Sequence, residues 1–131
     1  PYDKEWIARF RTAYIDAVGQ PPRLDVLAAH CYQYDRTCIL LIDWYVDRAK
    51  AWGVPEVWVT EWGHYTQWAN ASSGTRFMDA MVDYFQSEPL ITRWSWFIAR
   101  DRAYQKDVMY MVLLDYADGS LTPLGRHYRE Y

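Results

Sequence analysis

The chain has 131 residues, of which 51% are hydrophobic and 24% charged, a composition typical of one folded domain with a core rather than of a disordered segment. Its formal net charge is -3, and its lysines and arginines form no cluster, which argues against a nucleic-acid partner. No apolar run is long enough to span a bilayer, so we predict no membrane partner.

Aromatic residues are unusually abundant at 18% of the chain, including 8 Trp and 12 Tyr. Flat rings in excess of what a core needs are typical of sugar-binding clefts, because the apolar C–H faces of pyranoses stack on them. A large aromatic core or a partner interface is the alternative explanation.

Helix-period and strand-period patterns alternate along the chain. The predicted elements are, in chain order, a helix over Asp3–Val18, a strand over Leu24–His30, a helix over Cys38–Trp52, a strand over Glu56–Trp62, a helix over Thr75–Gln86 and a strand over Arg93–Ala99. Gly53 sits where a left-handed cap would end the second helix. The run Val108–Asp115 is strand-like but ambiguous, and a closing helix is expected with Thr122 as its cap and Pro123 at its first position.

This alternation predicts an α/β fold of parallel strands joined by helical crossovers, with residues 1–131 forming one domain. Three strands with four helices could form a small open sheet or the second half of a TIM (β/α)8 barrel. The opening helix lacks a preceding strand, which favours the half-barrel, with strands corresponding roughly to the sixth to eighth.

Functional groups of parallel α/β folds lie where strands end. The first strand ends in His30-Cys31-Tyr32, the second in Thr60-Glu61-Trp62-Gly63, and the third carries Trp94 and Trp96. We therefore expect a histidine, a tyrosine, a carboxylate and a tryptophan to line one mouth.

Cys31 and Cys38 are the only cysteines. Two unrelated buried thiols are the favoured interpretation, and a small disulfide loop or a metal pair lacking its other ligands are the alternatives. Asn70-Ala71-Ser72 matches a glycosylation acceptor, which matters only in a secreted protein. A signal peptide could have been removed before Pro1, and we expect the protein to be secreted or extracellular.

The order of these motifs resembles the C-terminal half of a clan A glycoside hydrolase, and specifically the glycosyl hydrolase catalytic-core family of endo-β-1,3-glucanase type. The matching segments are His30-Cys31-Tyr32, the run from Trp58 to Gly63, the aromatic cluster from Trp94 to Phe97, and the tail LLDYADGSLTPLGRHYREY. The likeness extends over nearly the whole chain from Leu24 onward.

The resemblance implies a role for each site residue. Glu61 would be the nucleophile that forms a covalent glycosyl-enzyme, and it must stay ionised, so Tyr32 and His30 are expected to donate hydrogen bonds to it. Trp96 would floor the subsite where the sugar distorts. The residues expected to extend the platform to neighbouring subsites are Trp62, Tyr65 and Trp68. Trp58 is assigned to the core, and no metal or cofactor is predicted.

The sequence departs from the family at the acid/base residue, which the family supplies as an Asn-Glu at the end of the fourth strand. The only asparagine here is Asn70, and it follows Glu61. Three explanations remain open. The chain is a fragment that lacks the N-terminal half-barrel, two copies pair as a homodimer, or a barrel remnant binds sugar without cutting it.

We therefore expect a portion of a retaining endo-glycosidase acting on β-glucan oligo- or polysaccharides, with little or no hydrolysis by this chain alone. A non-catalytic carbohydrate-binding module and a self-associating half-barrel with a structural role are the alternatives.

Overall fold

A computed structural model describes residues 5–64, 71–101 and 111–131 of the chain. The elements are α1 (Glu5–Val18), β1 (Val26–Cys31), α2 (Asp35–Trp52), β2 (Glu56–Trp62), α3 (Ala71–Ser87), β3 (Ile91–Trp96) and α4 (Pro123–Tyr128). The three strands pair in parallel in the order β1-β2-β3. The predicted α/β class and the alternation of strands with helices are confirmed.

Several bounds differ from the predicted ones. Helix α2 starts at Asp35 rather than Cys38, because an acidic residue in the first turn is favoured by the helix dipole. Strand β1 runs Val26–Cys31 and β3 runs Ile91–Trp96, so both are shifted from their predicted ranges. Asp3 and residues 108–110 lie outside the described residues. Over 111–115 no strand forms; Leu114 makes one isolated antiparallel bridge to Leu121.

Helices α2 and α3 cover one face of the sheet, and the core lies between that face and the two helices. The buried residues that strands and helices contribute to it include Leu27, Ala29, Ile42, Val46, Val57, Val59, Met78, Met81, Val82, Phe85 and Ile91. Burying one such side chain stabilises the fold by about 1.5–3 kcal/mol. Helix α1, in contrast, buries none of its residues, and its Trp6 is 58% exposed. It meets α2 where the Arg11 guanidinium lies 5.2 Å from the centroid of the Trp52 ring.

A bulge in β2 decides which side chains face the core. Ala29 of β1 pairs with Val59, but the next residue, His30, pairs with Glu61, so Thr60 is an extra residue in the ladder. Since side chains alternate between faces, one extra residue reverses the alternation. Glu61 therefore shares the open face with His30, and Trp62 lies on the core face.

The end of α2 and the start of α4 follow the predicted chemistry. Gly53 ends α2 in the left-handed conformation, with φ 68°. The Thr122 hydroxyl accepts a hydrogen bond from the Gly125 N–H at 3.0 Å, and Pro123 occupies the first turn of α4. The predicted caps are confirmed.

Helix α4 is anchored to α3 through Asp79. His127 Nε2 lies 2.6 Å from Asp79 Oδ1, and the Tyr131 hydroxyl donates to the same oxygen. Burial raises the pKa of Asp79, but these two hydrogen bonds outweigh it and hold that pKa below its ordinary value.

His64, just beyond β2, is a buried polar side chain. Its ring stacks on Phe77 with centroids 5.0 Å apart, and its Nδ1 has no hydrogen-bond partner among the described residues. Burial is the largest influence and lowers the pKa of His64, while the Gln33 backbone and the charge of Asp35 act in the opposite direction. Folding therefore favours the neutral ring.

We expect stability to fall as the pH drops below the ordinary histidine value of 6.5, because only the unfolded chain then readily takes up the His64 proton. Urea unfolding at several pH values between 7 and 5 measures this slope. His64→Phe should flatten it, since the aromatic ring keeps the contact with Phe77 without a titrating group. An unchanged slope in His64→Phe would contradict this account.

Gly125→Ala tests the packing of α4. A β-carbon at Gly125 would lie 1.9 Å from the Leu113 carbonyl oxygen, a backbone atom. Alanine is the better helix former by about 1 kcal/mol, but we expect the clash to win and stability to fall by more than about 2 kcal/mol. Gly53→Ala is the comparison: nothing lies within 4 Å of its β-carbon, and only the positive φ opposes it, at about 1 kcal/mol. Equal losses in urea unfolding would rule out the clash.

Candidate active site

The carboxyl ends of the three strands converge on Glu61. The Gly63 N–H donates to the Cys31 carbonyl at 3.0 Å, and the Phe97 N–H donates to the Trp62 carbonyl at 2.8 Å. A β-carbon at Gly63 would lie 2.5 Å from the Phe97 carbonyl oxygen. Because the two backbones approach so closely, any side chain at position 63 would clash, which explains the glycine in the sequence Thr60-Glu61-Trp62-Gly63.

Glu61, His30 and Tyr32, which we call the Glu61 cluster, meet as the sequence predicted. The Tyr32 hydroxyl donates a hydrogen bond to Glu61 Oε2, and His30 Nδ1 lies 3.4 Å from the same oxygen. The side chains of His30 and Glu61 are each 39% exposed. The carboxylate is therefore held on one side and open to solvent on the other.

Both contacts fall on one carboxylate oxygen. Within the described ranges no hydrogen bond reaches Glu61 Oε1. A nucleophilic carboxylate needs this arrangement, in which one oxygen is fixed by donors and the other is free to attack. The ring of Tyr32 is itself fixed, because it packs edge-on against Phe97 with centroids 5.4 Å apart.

The expectation that Trp62 belongs to an open sugar platform is wrong. Trp62 is 0% exposed and packs against Phe85 and Trp96 at centroid distances of 5.1 and 4.7 Å. Neighbouring side chains of a strand point to opposite faces, so Glu61 and Trp62 cannot both line the open face, and the bulge at Thr60 puts Glu61 there.

Trp96 also belongs to the core. It is 6% exposed, and its indole N–H donates to the Met111 carbonyl at 2.6 Å. Trp94 shares its face, as alternation predicts, and packs against Phe85. The expectation that Trp96 floors an open subsite is therefore not met, because its ring faces the α2–α3 side of the sheet.

Trp58 was assigned to the core and lies instead on the open face. It is half-buried, and the Arg93 guanidinium sits 4.7 Å from its ring centroid. Its indole N–H donates to Glu56 at 2.8 Å. These contacts belong to the amino end of the strands, away from the Glu61 cluster.

Tyr65 and Trp68, the other two residues assigned to the platform, lie outside the described residues. Tyr34, which was not among the predicted site residues, is 53% exposed and lies in the loop after β1 that also carries Tyr32. Its ring meets His64 edge-on with centroids 6.0 Å apart. The available signal was its position, two residues beyond Tyr32 at a strand end.

Cys31 and Cys38 form a disulfide, so the interpretation as two free thiols is wrong. Cys38 is the fourth residue of α2, where the prediction made it the first, and its disulfide joins α2 to the end of β1. Across the described ranges no group of three or more His, Cys, Asp or Glu side chains could hold a metal ion. None of the described helices is long and apolar enough to cross a membrane.

Solved structures share this fold. An endo-β-1,3-glucanase of GH128 subgroup II from Pseudomonas viridiflava is 30% identical, with a TM-score of 0.73 over 94% of this chain and 46% of its own. Two further structures show likeness of fold alone. An exo-β-1,3-glucanase of subgroup VI from Aureobasidium namibiae is 18% identical, with a TM-score of 0.69 over 95% of this chain and 48% of its own. An endo-β-1,3-glucanase of subgroup I from Amycolatopsis mediterranei, solved with laminaritriose, is 18% identical, with a TM-score of 0.69 over 99% of this chain and 54% of its own.

The chain thus spans about half the length of the solved structures that it matches, as expected of part of a TIM-like barrel. No curated protein matches it. The family model for the glycosyl hydrolase catalytic core matches residues 1–128. This chain, with an accessible glutamate at the end of its middle strand, belongs to the glycosyl hydrolase catalytic-core family.

Proposed function

We propose that this chain forms part of the catalytic barrel of a retaining β-1,3-glucan hydrolase, in which Glu61 is the nucleophile. The observation that carries the proposal is the Glu61 cluster, where Tyr32 and His30 contact one carboxylate oxygen at an open strand end. The relatives described above are β-1,3-glucanases, which supports the substrate class.

The chemistry follows from the held carboxylate. The free oxygen of Glu61 attacks the anomeric carbon of a bound glucosyl unit, and the bond from that carbon to the glycosidic oxygen breaks. Water then attacks the same anomeric carbon, the bond from that carbon to the Glu61 oxygen breaks, and the sugar is released with retained configuration. The Tyr32 hydroxyl keeps the attacking group oriented, since a bond to the second oxygen fixes the plane of the carboxylate.

The leaving oxygen needs a proton from a second carboxyl group, about 5–5.5 Å from the nucleophile. No Asn-Glu pair occurs in the sequence. The matched structures are about twice the length of this chain, so we propose that a complementary half-barrel supplies the proton donor. A homodimer that closes the barrel and a remnant that binds glucan without cleaving it remain the alternative outcomes.

Tyr34 is our proposal for an aromatic contact to glucan, in place of the buried Trp62 and Trp96. It is exposed, and it follows the strand end that provides His30 and Tyr32. The Cys31–Cys38 disulfide further supports secretion, because disulfides persist in oxidising compartments.

Covalent labelling tests Glu61 without requiring the missing acid. Dinitrophenolate leaves without protonation, so a dinitrophenyl 2-deoxy-2-fluoro-β-laminaribioside should glycosylate the chain, and the fluorine should slow hydrolysis of the adduct. We expect intact-mass and peptide mass spectra to place one sugar on Glu61, and Glu61→Gln to slow labelling by at least about 100-fold.

Glu56→Gln is the matched control, because Glu56 lies on the same strand at its opposite end and accepts hydrogen bonds from Trp58 and Thr92. It should label at the wild-type rate. Adduct on another carboxylate would refute the assignment of Glu61. Laminari-oligosaccharide binding without any adduct would favour the non-cleaving remnant.

Tyr34→Ala should weaken laminaritriose binding by about 0.5–1.5 kcal/mol, which is about 2- to 10-fold in Kd, because one stacking surface is lost. Calorimetric titration of the Glu61→Gln background avoids turnover. Trp6→Ala removes another exposed aromatic side chain, on α1, and should leave Kd unchanged. If Tyr34→Ala and Trp6→Ala changed the Kd for laminaritriose equally, Tyr34 would not be a specific contact to glucan.

A further inference from the structure

The loop that carries Tyr32 is closed covalently. Cys31 is the last residue of β1, Cys38 lies in the first turn of α2, and their disulfide bridges a separation of 7 residues. Tyr32 and Tyr34 both lie inside this ring. The loop between strand and helix therefore cannot open without breaking a bond.

Cys31 is fixed in two directions at once. Its side chain is bonded to α2, and its carbonyl oxygen accepts the Gly63 N–H of the β2 end at 3.0 Å. The Cys38 N–H donates to the Tyr34 carbonyl at 2.8 Å, which turns the loop into the helix. Tyr32 follows Cys31 directly, so its backbone starts from a point tied to both α2 and the strand that carries Glu61.

We infer that the Cys31–Cys38 disulfide is a positioning device that holds the Tyr32 hydroxyl against Glu61. A hydroxyl donor must be placed within a few tenths of an ångström to keep a good hydrogen bond, and the turn of residues 32–34 between β1 and α2 would not place it so without the bond from Cys31 to α2. General stabilisation explains the bond less well, because short loops gain least from cross-linking. The effect of this positioning on formation of the glycosyl-enzyme rests on the proposed function of Glu61.

The inference is tested first without turnover. In the chain labelled with ¹³Cζ-tyrosine, Tyr32→Phe assigns the Tyr32 signal, and Glu61→Gln should shift that signal because its acceptor changes. In the variant Cys31→Ala with Cys38→Ala the same Glu61→Gln change should shift it much less. An equal shift with and without the disulfide would overturn the inference, whatever the role of Glu61.

Both cysteines are buried, so the double alanine variant could unfold. Wild-type chain reduced under native conditions, with thiols retained at both positions, provides the second comparison. Its Tyr32 signal should resemble that of the alanine variant. If the reduced chain keeps the oxidised response to Glu61→Gln, the disulfide does not position Tyr32.

The kinetic arm is a double-mutant cycle on the labelling rate with the fluorinated laminaribioside. Tyr32→Phe should slow labelling by about 10-fold in the oxidised chain and by less than about 2-fold without the disulfide, because both changes then disturb one contact. If Tyr32→Phe and loss of the disulfide instead slowed labelling by factors that multiply, the disulfide would act independently of Tyr32, and the inference would be wrong.

Tyr84→Phe is the matched control for this cycle. The Tyr84 hydroxyl donates to Asp43 of the same helix α2 at 2.6 Å, away from the Glu61 cluster. Its effect on the labelling rate should be small and independent of the disulfide. Coupling as strong as that of Tyr32 would indicate that the disulfide acts on the whole of α2 and would overturn the specific role of Tyr32.

Discussion

The arrangement of this protein depends on one extra residue in the middle strand. Because Thr60 has no counterpart in β1, the side chains that follow it change faces, and Glu61 meets His30 on the open side while Trp62 enters the core. A regular strand would bury the carboxylate against α2 and α3, where an ionised group is strongly disfavoured. The bulge therefore separates the polar chemistry of the strand end from the aromatic packing beneath it.

Aromatic residues serve two purposes that composition could not separate. Trp62, Trp96 and Phe77 pack against one another with centroid distances of 4.7 to 6.3 Å, so these two indoles belong to the core. Tyr32 has the second purpose, since its ring packs on Phe97 while its hydroxyl reaches Glu61. An exposed ring at this end of the sheet is provided by Tyr34.

The order of elements was predictable from hydrophobic periodicity, and the caps at Gly53 and Thr122 were predictable from turn chemistry. The meeting of His30, Tyr32 and Glu61 was predictable because parallel strands run in one direction and end at the same edge. The burial of Trp62 was not predictable, because a regular alternation of side chains along a strand does not reveal a bulge. The disulfide was not either, because the spacing of Cys31 and Cys38 is compatible with free thiols and with a metal pair as well as with a small disulfide loop.

The ring closed by Cys31 and Cys38 also constrains how this part of the mouth can evolve. An inserted or deleted residue between the cysteines would change the span that the bridge must match, whereas an exchange of one side chain for another would leave the backbone path intact. Changes in this ring are thus confined to replacement at fixed length, and the exposed residues 33–37 can be replaced at less structural cost than the buried cysteines.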